Sequence, residues 1–241
     1  MEKHQYGSYR RVWARLKRFE PASLGLFGIL AGGAFLFQYL VGEVLEGEPL
    51  KFDAGILLAF RQQDDPAIPI GPSWLLHAAD DITSLGGVTV LSMLTILVTL
   101  YFVVARKRGL ALYIALCIGG GWLVSTLLKI AIGRPRPDIV PHLVKVSDLS
   151  FPSGHAMLSA ITYLTLGALL AKGRHRSERV YVMGCAILLT VTIGISRVYL
   201  GVHYPSDVIG GWCAGTIWAL FCWLVANRLP HDSCRTNQEG V

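Results

Sequence analysis

LALYIALCIGGGWLVSTLLKIAIGRPRP, residues 110–137, decides how the rest of the chain is read. Its first part, 110–131, is an apolar run of the length that crosses a hydrocarbon core, about 20 residues for about 30 Å. Near its end stands a lysine, Lys129, and just beyond it a doubled Arg-Pro sequence, Arg134-Pro135-Arg136-Pro137. A cation in a span costs roughly 2.5 to 3.5 kcal/mol at the centre and less near an end. Taken alone, a snorkelling lysine and a proline-locked exit turn account for it.

Outward from this segment, similar runs lie at 22–41, 88–105, 155–171, 179–196 and 207–226. They predict an all-α, polytopic membrane protein: a bundle of six transmembrane helices forming a single domain over 1–241, with an extracytoplasmic interfacial segment at 42–87. Composition agrees, since the 241 residues are 53% hydrophobic and 16% charged, whereas soluble domains carry about a quarter charged residues. That excludes an ordinary soluble enzyme and a disordered or collagen-like chain. The run at 22–41 is read as a retained helix. It is too long for a typical signal sequence, and Gly42-Glu43-Val44-Leu45-Glu46 is no small-residue cleavage site.

The 22 Lys and Arg residues divide unevenly. Fifteen fall in the basic arm 1–21, the loops after the second and fourth spans, and the tail 227–241, accompanied by five acidic residues. The other face carries seven basic and eleven acidic residues. Positive loops stay inside, so both termini are expected to be cytoplasmic and the protein integral to the inner or plasma membrane. The net +6 is then a topology signal and a partner for anionic headgroups; no nucleic-acid motif accompanies it. Cys117, Cys185, Cys213 and Cys222 lie in apolar runs, Cys234 lies in the tail, and no C-x-x-C pair occurs.

The few cations on the outer face concentrate at span ends, together with two further pieces. Phe151-Pro152-Ser153-Gly154-His155 opens the fourth span, where Ser153 suits an N-cap and Gly154 lets a ligand approach backbone amides. Ser196-Arg197 leads through His203 to Asp207, which a helix starting near Pro205 would place within reach of His203. The pieces supply three cations, an anion-binding helix start and two histidines, one with a carboxylate nearby. Phosphate chemistry needs those parts: cations for the equatorial oxygens, a nucleophile, and an acid for the leaving group.

The spacing Lys129-x6-Arg136-Pro137, then Pro152-Ser153-Gly154-His155, then Ser196-Arg197-x5-His203-x3-Asp207 resembles the three-part signature of the type 2 phosphatidic acid phosphatase superfamily. That superfamily has a membrane-embedded lipid phosphatase branch and also contains soluble acid phosphatases and vanadium haloperoxidases. The motifs cover 129–207, and every signature position is matched in order. The resemblance implies that Lys129, Arg136 and Arg197 bind phosphate, helped by Ser153 and the Gly154 amide. It implies that His203, oriented by Asp207, is a nucleophile forming a phosphohistidine, and that His155 protonates the leaving oxygen. No metal and no cofactor is implied. A coupled pair of histidines predicts a bell-shaped pH profile.

The implied activity is hydrolysis of a lipid phosphate or diphosphate at the extracytoplasmic face. Candidates are phosphatidic acid, phosphatidylglycerol phosphate, a polyprenyl diphosphate or a phosphorylated glycolipid such as lipid A. Transfer of the phosphoryl group to a second lipid or sugar hydroxyl is the alternative, and a non-catalytic anion or lipid transporter a further one. Oligomeric state is not legible. Arg134 is a candidate for a contact with a second phosphate or a headgroup, or else a solvated or lipid-facing cation, and Asp138 is read as a turn residue in preference to one that orients either arginine. His142, Lys145 and Asp148 lie in a loop suited to headgroup selection. Within 42–87, residues 73–85 set Trp74, Leu75, Ala78, Ile82 and Leu85 against His77, Asp80, Asp81 and Ser84 at helical spacing. This predicts an interfacial helix, apolar face down, that roofs the site; a metal site at His77, Asp80 and Asp81 is the lesser reading.

Overall fold

The computed structural model describes residues 21–228 apart from 48, 49 and 147. The arm before Pro21 and the tail beyond Arg228, with Cys234, lie outside the described residues. The regular structure is helical: α1 (Pro21–Leu45), α2 (Lys51–Ala59), α3 (Ser73–Ser84), α4 (Val88–Val104), α5 (Arg108–Ile132), α6 (Gly154–Ala171), α7 (Arg176–Tyr199) and α8 (Pro205–Arg228). The expected all-α membrane bundle is borne out. Phe35 is 76% exposed and Val104 81%, apolar surface that water would not tolerate over so wide an area.

Among the described residues five helices are long and apolar enough to cross a bilayer. The expected span at 88–105 is α4, whose 17 residues reach only about 26 Å at 1.5 Å per residue. Helix α3 precedes it across a 43° bend, and the two together are long and apolar enough, which makes six if the bent pair is counted as one span. The helix expected over 73–85 is α3, but the face it buries differs from expectation. Helix α3 packs on α7, turning Ala79 and Thr83 into the protein and leaving Trp74 64% exposed. The buried stripe is therefore rotated from the expected apolar face, because its partner is a helix rather than lipid.

Helix α6 is the centre of the bundle, with α7 and α8 against it. Small residues permit this approach. A Cβ on Gly211 would stand 2.9 Å from Ala156 Cβ, and one on Gly215 would stand 2.9 Å from Ala160 Cβ and 2.5 Å from the Met157 carbonyl oxygen. This glycine pair, four apart, is the small-residue contact by which membrane helices close. Trp218 Nε1 donates to the Cys117 carbonyl at 2.7 Å and Trp212 Nε1 to that of Thr190 at 3.2 Å, satisfying both indoles between helices.

The alternation of helix directions brings the C-terminal ends of α5 and α7, the N-terminal ends of α6 and α8, and the α3–α4 bend to one end of the bundle. Gly133 ends α5 at φ 69°, a left-handed cap that glycine adopts without strain. From there to Ser153 the described residues are not helical. Arg61 and Tyr199 fasten the segment between α2 and α3 to this end: Arg61 Nη1 donates to the Tyr199 carbonyl at 2.9 Å, and the Tyr199 hydroxyl to that of Ile70 at 2.9 Å.

Candidate active site

His203 lies in the short connection from α7 to α8, 1% exposed. Arg136 Nη1 donates to His203 Nε2 at 3.2 Å. That leaves the proton on Nδ1, which faces Asp207 Oδ2 and Ser150 Oγ, each 3.4 Å away; the tautomer is assigned from this network. Asp207 is the third residue of α8, so the helix start brings its carboxylate back to the loop: Oδ2 also accepts the Tyr204 backbone N–H at 2.9 Å and the Ser150 hydroxyl. Burial, and after it the charges of Arg136, Arg197 and Lys129, push the His203 imidazole well below its ordinary value. The ring is neutral at pH 7, with a free electron pair on the nitrogen that faces the cations.

Lys129, at the end of α5, donates to the Leu149 carbonyl at 2.9 Å. Arg136 donates through Nε to the Asp148 carbonyl at 2.7 Å and through Nη1 to that of Val202 at 2.5 Å. The Asp148 side chain forms ion pairs with both cations, one oxygen to Lys129 and one to Arg136. Burial alone would raise its carboxyl, but the hydrogen bonds and charges of Lys129 and Arg136 outweigh this and hold it well below the ordinary range. Arg197, near the end of α7, is 4% exposed and donates to Thr83 Oγ1 on α3 at 3.0 Å.

The α6 start differs in one detail from expectation. Ser153 occupies the N-cap position, yet its hydroxyl makes no capping bond. Ser153 Oγ and Arg197 Nε are buried without a hydrogen-bond partner among the described residues, a costly condition for a polar atom unless something else satisfies it. The backbone of Gly154 runs close to Lys129, where a Cβ would stand 3.7 Å from Nζ. His155 is half-buried against the α3–α4 bend: Cβ atoms on Gly86 and Gly87 would lie 3.4 Å from its Cδ2 and 3.9 Å from its Nε2. Its charged or titratable neighbours are Arg197, His203, Lys129 and Asp148.

The structure therefore brings Lys129, Arg136, Ser153, Gly154, His155, Arg197, His203 and Asp207 to one place. Arg134 goes elsewhere, and both readings of it are corrected. It is 7% exposed, with Nη1 on Asp207 Oδ1 at 2.5 Å and on Ser206 Oγ at 2.7 Å, and Nη2 on Asp53 Oδ2 at 3.1 Å. Both terminal nitrogens are thus engaged inside the protein rather than turned to a second phosphate or to solvent. Asp138 is exposed, and His142 Nε2 donates to the Pro137 carbonyl at 2.7 Å, stiffening the loop. Among the described residues no group of three or more His, Cys, Asp or Glu side chains is placed to hold a metal ion, His77, Asp80 and Asp81 included.

Sequence reasoning missed Ser150, Thr83, Asp53 and Ser206. Ser150 immediately precedes the second motif, and Ser206 lies within the third. Asp53 carried one signal, an acid in the otherwise apolar stretch after Lys51; Thr83 carried none.

A helical membrane bundle with cations and a carboxylate-held histidine at one end defines a membrane phosphatase architecture. Residues 109–230 match the PAP2 superfamily, and the chain belongs to that family. It is 37% identical over 156 residues to phosphatidylglycerophosphatase B of Bacillus subtilis, covering 63% of this chain and 75% of that one. It is 34% identical over 141 residues to lipid A 1-phosphatase of Rhizobium etli, covering 52% of this chain and 56% of that one. Its fold superposes on the crystal structure of a transmembrane PAP2-type phosphatidylglycerolphosphate phosphatase from Bacillus subtilis with TM-score 0.73 and 29% identity, over 85% of this chain and 99% of the other.

Proposed function

We propose that this chain is an integral-membrane lipid phosphatase that releases phosphate from a lipid phosphate through a phosphohistidine at His203, on the extracytoplasmic side. The observation that carries the reading is the line Arg136, His203, Asp207: a cation on one ring nitrogen, a carboxylate on the other, and a neutral imidazole between them. Binding an anion needs the cation but neither the histidine nor its carboxylate, which sets the transporter reading aside. The exposed apolar flanks keep a substrate's tail in the bilayer while its headgroup reaches the cations.

In this account Lys129, Arg136 and Arg197 neutralise the phosphoryl oxygens, and the partnerless Ser153 hydroxyl and Arg197 Nε bind them as well. Asp148 is displaced from Lys129 and Arg136 as phosphate enters. His203 Nε2 attacks phosphorus as the bond to the lipid oxygen breaks, and a protonated His155 gives that oxygen its proton. Water then attacks phosphorus, His155 takes its proton, the N–P bond breaks, and inorganic phosphate leaves. Asp207 stabilises the positive charge that the ring carries in between.

Two relatives are named for lipid phosphates, phosphatidylglycerophosphatase B and lipid A 1-phosphatase, and the first makes phosphatidylglycerol phosphate the leading substrate. The test is phosphate release by purified protein from phosphatidylglycerol phosphate, phosphatidic acid, a polyprenyl diphosphate and lipid A, with EDTA present and His203→Ala as control. Release from at least one lipid, lost in the variant, supports the reading. Dephosphorylation of the lipid only when a second hydroxylated acceptor is added, with the phosphoryl group recovered on that acceptor instead of as free phosphate, would replace it with a phosphotransferase.

A further inference from the structure

Behind Asp207, on the side away from His203, lies a buried cluster that the mechanism above does not use. Asp53, in the first turn of α2, is 0% exposed. Its Oδ1 accepts the Ser206 backbone N–H at 2.9 Å, and its Oδ2 accepts the Ser206 hydroxyl at 2.5 Å and Arg134 Nη2 at 3.1 Å. Arg134 bridges from there to Asp207 Oδ1 at 2.5 Å, its guanidinium carbon 4.3 Å from the centre of the Tyr204 ring. Each oxygen of both carboxylates accepts from at least one donor, an arrangement that suits two ionised groups.

Charge bookkeeping gives the cluster a meaning. Asp207 paired with Arg134 alone would be neutral and would offer little field to His203. Two carboxylates on one guanidinium leave one net negative charge, in surroundings where charges act far more strongly than in water. His203 borders that charge, and its ring becomes positive when Nε2 bonds to phosphorus.

We propose that Asp53 and Arg134 are positioning residues for the catalytic pair: Arg134 fixes the Asp207 carboxylate, and Asp53 offsets the guanidinium so that the charge of Asp207 remains available to His203. The proposal rests on the reading of His203 as nucleophile. It also gives the outer segment a part in the chemistry, because α2 supplies Asp53 from outside the three-part signature. An uncompensated Arg134 beside Asp207 should raise the barrier to phosphorylation without weakening substrate binding.

The experiment compares kcat and KM for wild type, Asp53→Asn, and the double variant Asp53→Asn with Arg134→Gln, each checked for a cooperative thermal transition. Asp53→Asn should lower kcat by about ten- to a hundredfold, the usual cost of removing an outer partner of a reactive group, with KM nearly unchanged. The double variant restores the net charge of the cluster and should regain most of that loss, although it has fewer hydrogen bonds. A purely structural role predicts the opposite, a double variant at least as impaired as the single one. Wild-type kcat in Asp53→Asn, or no recovery in a folded double variant, would overturn the proposal. Should only the double variant fold, a kcat within about tenfold of wild type supports the proposal and a larger loss overturns it; failure of both to fold assigns the cluster to structure alone. Wild type and His203→Ala on the same lipid check the underlying reading separately: a folded but silent wild type counts against the phosphatase, not against the cluster.

Discussion

The guanidinium of Arg136 stands 3.2 Å from Nε2 of His203, so the cation that would hold a phosphoryl oxygen touches the atom that would attack it. Arg136 is fixed there by the Val202 and Asp148 carbonyls, at 2.5 and 2.7 Å. A lysine cannot reproduce both contacts with one ammonium. Arg136→Lys is therefore expected to lower kcat by about 10²-fold or more, the scale found for losing one preorganised donor, and to do so with the charge retained. Steady-state kinetics on a lipid phosphate in detergent micelles measures this.

Asp148 is paired with Lys129 and Arg136, the two cations proposed to hold phosphate. Asp148→Asn removes the competing charge, so inorganic phosphate and vanadate should inhibit more tightly and KM should fall, by about tenfold for each 1.4 kcal/mol of ion pairing released. Product inhibition constants for the two proteins decide the matter; equal constants would mean that Asp148 leaves the cations at no cost.

The pH dependence follows from His203. As the proposed nucleophile it must be neutral, and this imidazole is held well below 6.5 by burial and three cations. It remains neutral as pH falls through 6.5 and is lost only below its lowered value. After allowance for the substrate's own second ionisation, near pH 6 for phosphate monoesters, kcat/KM should show no tenfold-per-unit decline starting at 6.5. Asp148 pulls the ring value upward, so Asp148→Asn should move the acid limb to still lower pH.

Packing supports the site from below. Gly215→Ala would place a methyl 2.5 Å from the Met157 carbonyl oxygen, a backbone atom of α6 that has little room to move. Overpacking of this kind costs roughly 1 to 3 kcal/mol, which thermal unfolding in detergent should register as a lowered Tm. Gly184, which has nothing within 4 Å of its Cβ position, is the control and should tolerate alanine.

Much of this was legible in the sequence because bilayers impose strong rules. Apolar runs located the long helices to within a few residues, and cations rare enough to be noticed marked Lys129, Arg136 and Arg197. What escaped was set by tertiary contact. Helix α3 buries Ala79 and Thr83 because α7 lies against that face. Arg134 and Arg136 are two residues apart with identical chemistry, and only the fold sends one to Asp53 and Asp207 and the other to His203. Asp53 is 81 positions from its arginine, a separation no local pattern spans.

The central claim is that His203 carries the phosphoryl group. Purified protein mixed with lipid phosphate labelled in its phosphorus, then quenched within milliseconds in alkaline denaturant, should retain protein-bound label that is stable to base and released by acid. Peptide mapping should place it on His203, with none in His203→Ala. Folded enzyme that turns over this lipid without bound label at any quench time, or label that survives in His203→Ala, would contradict the account.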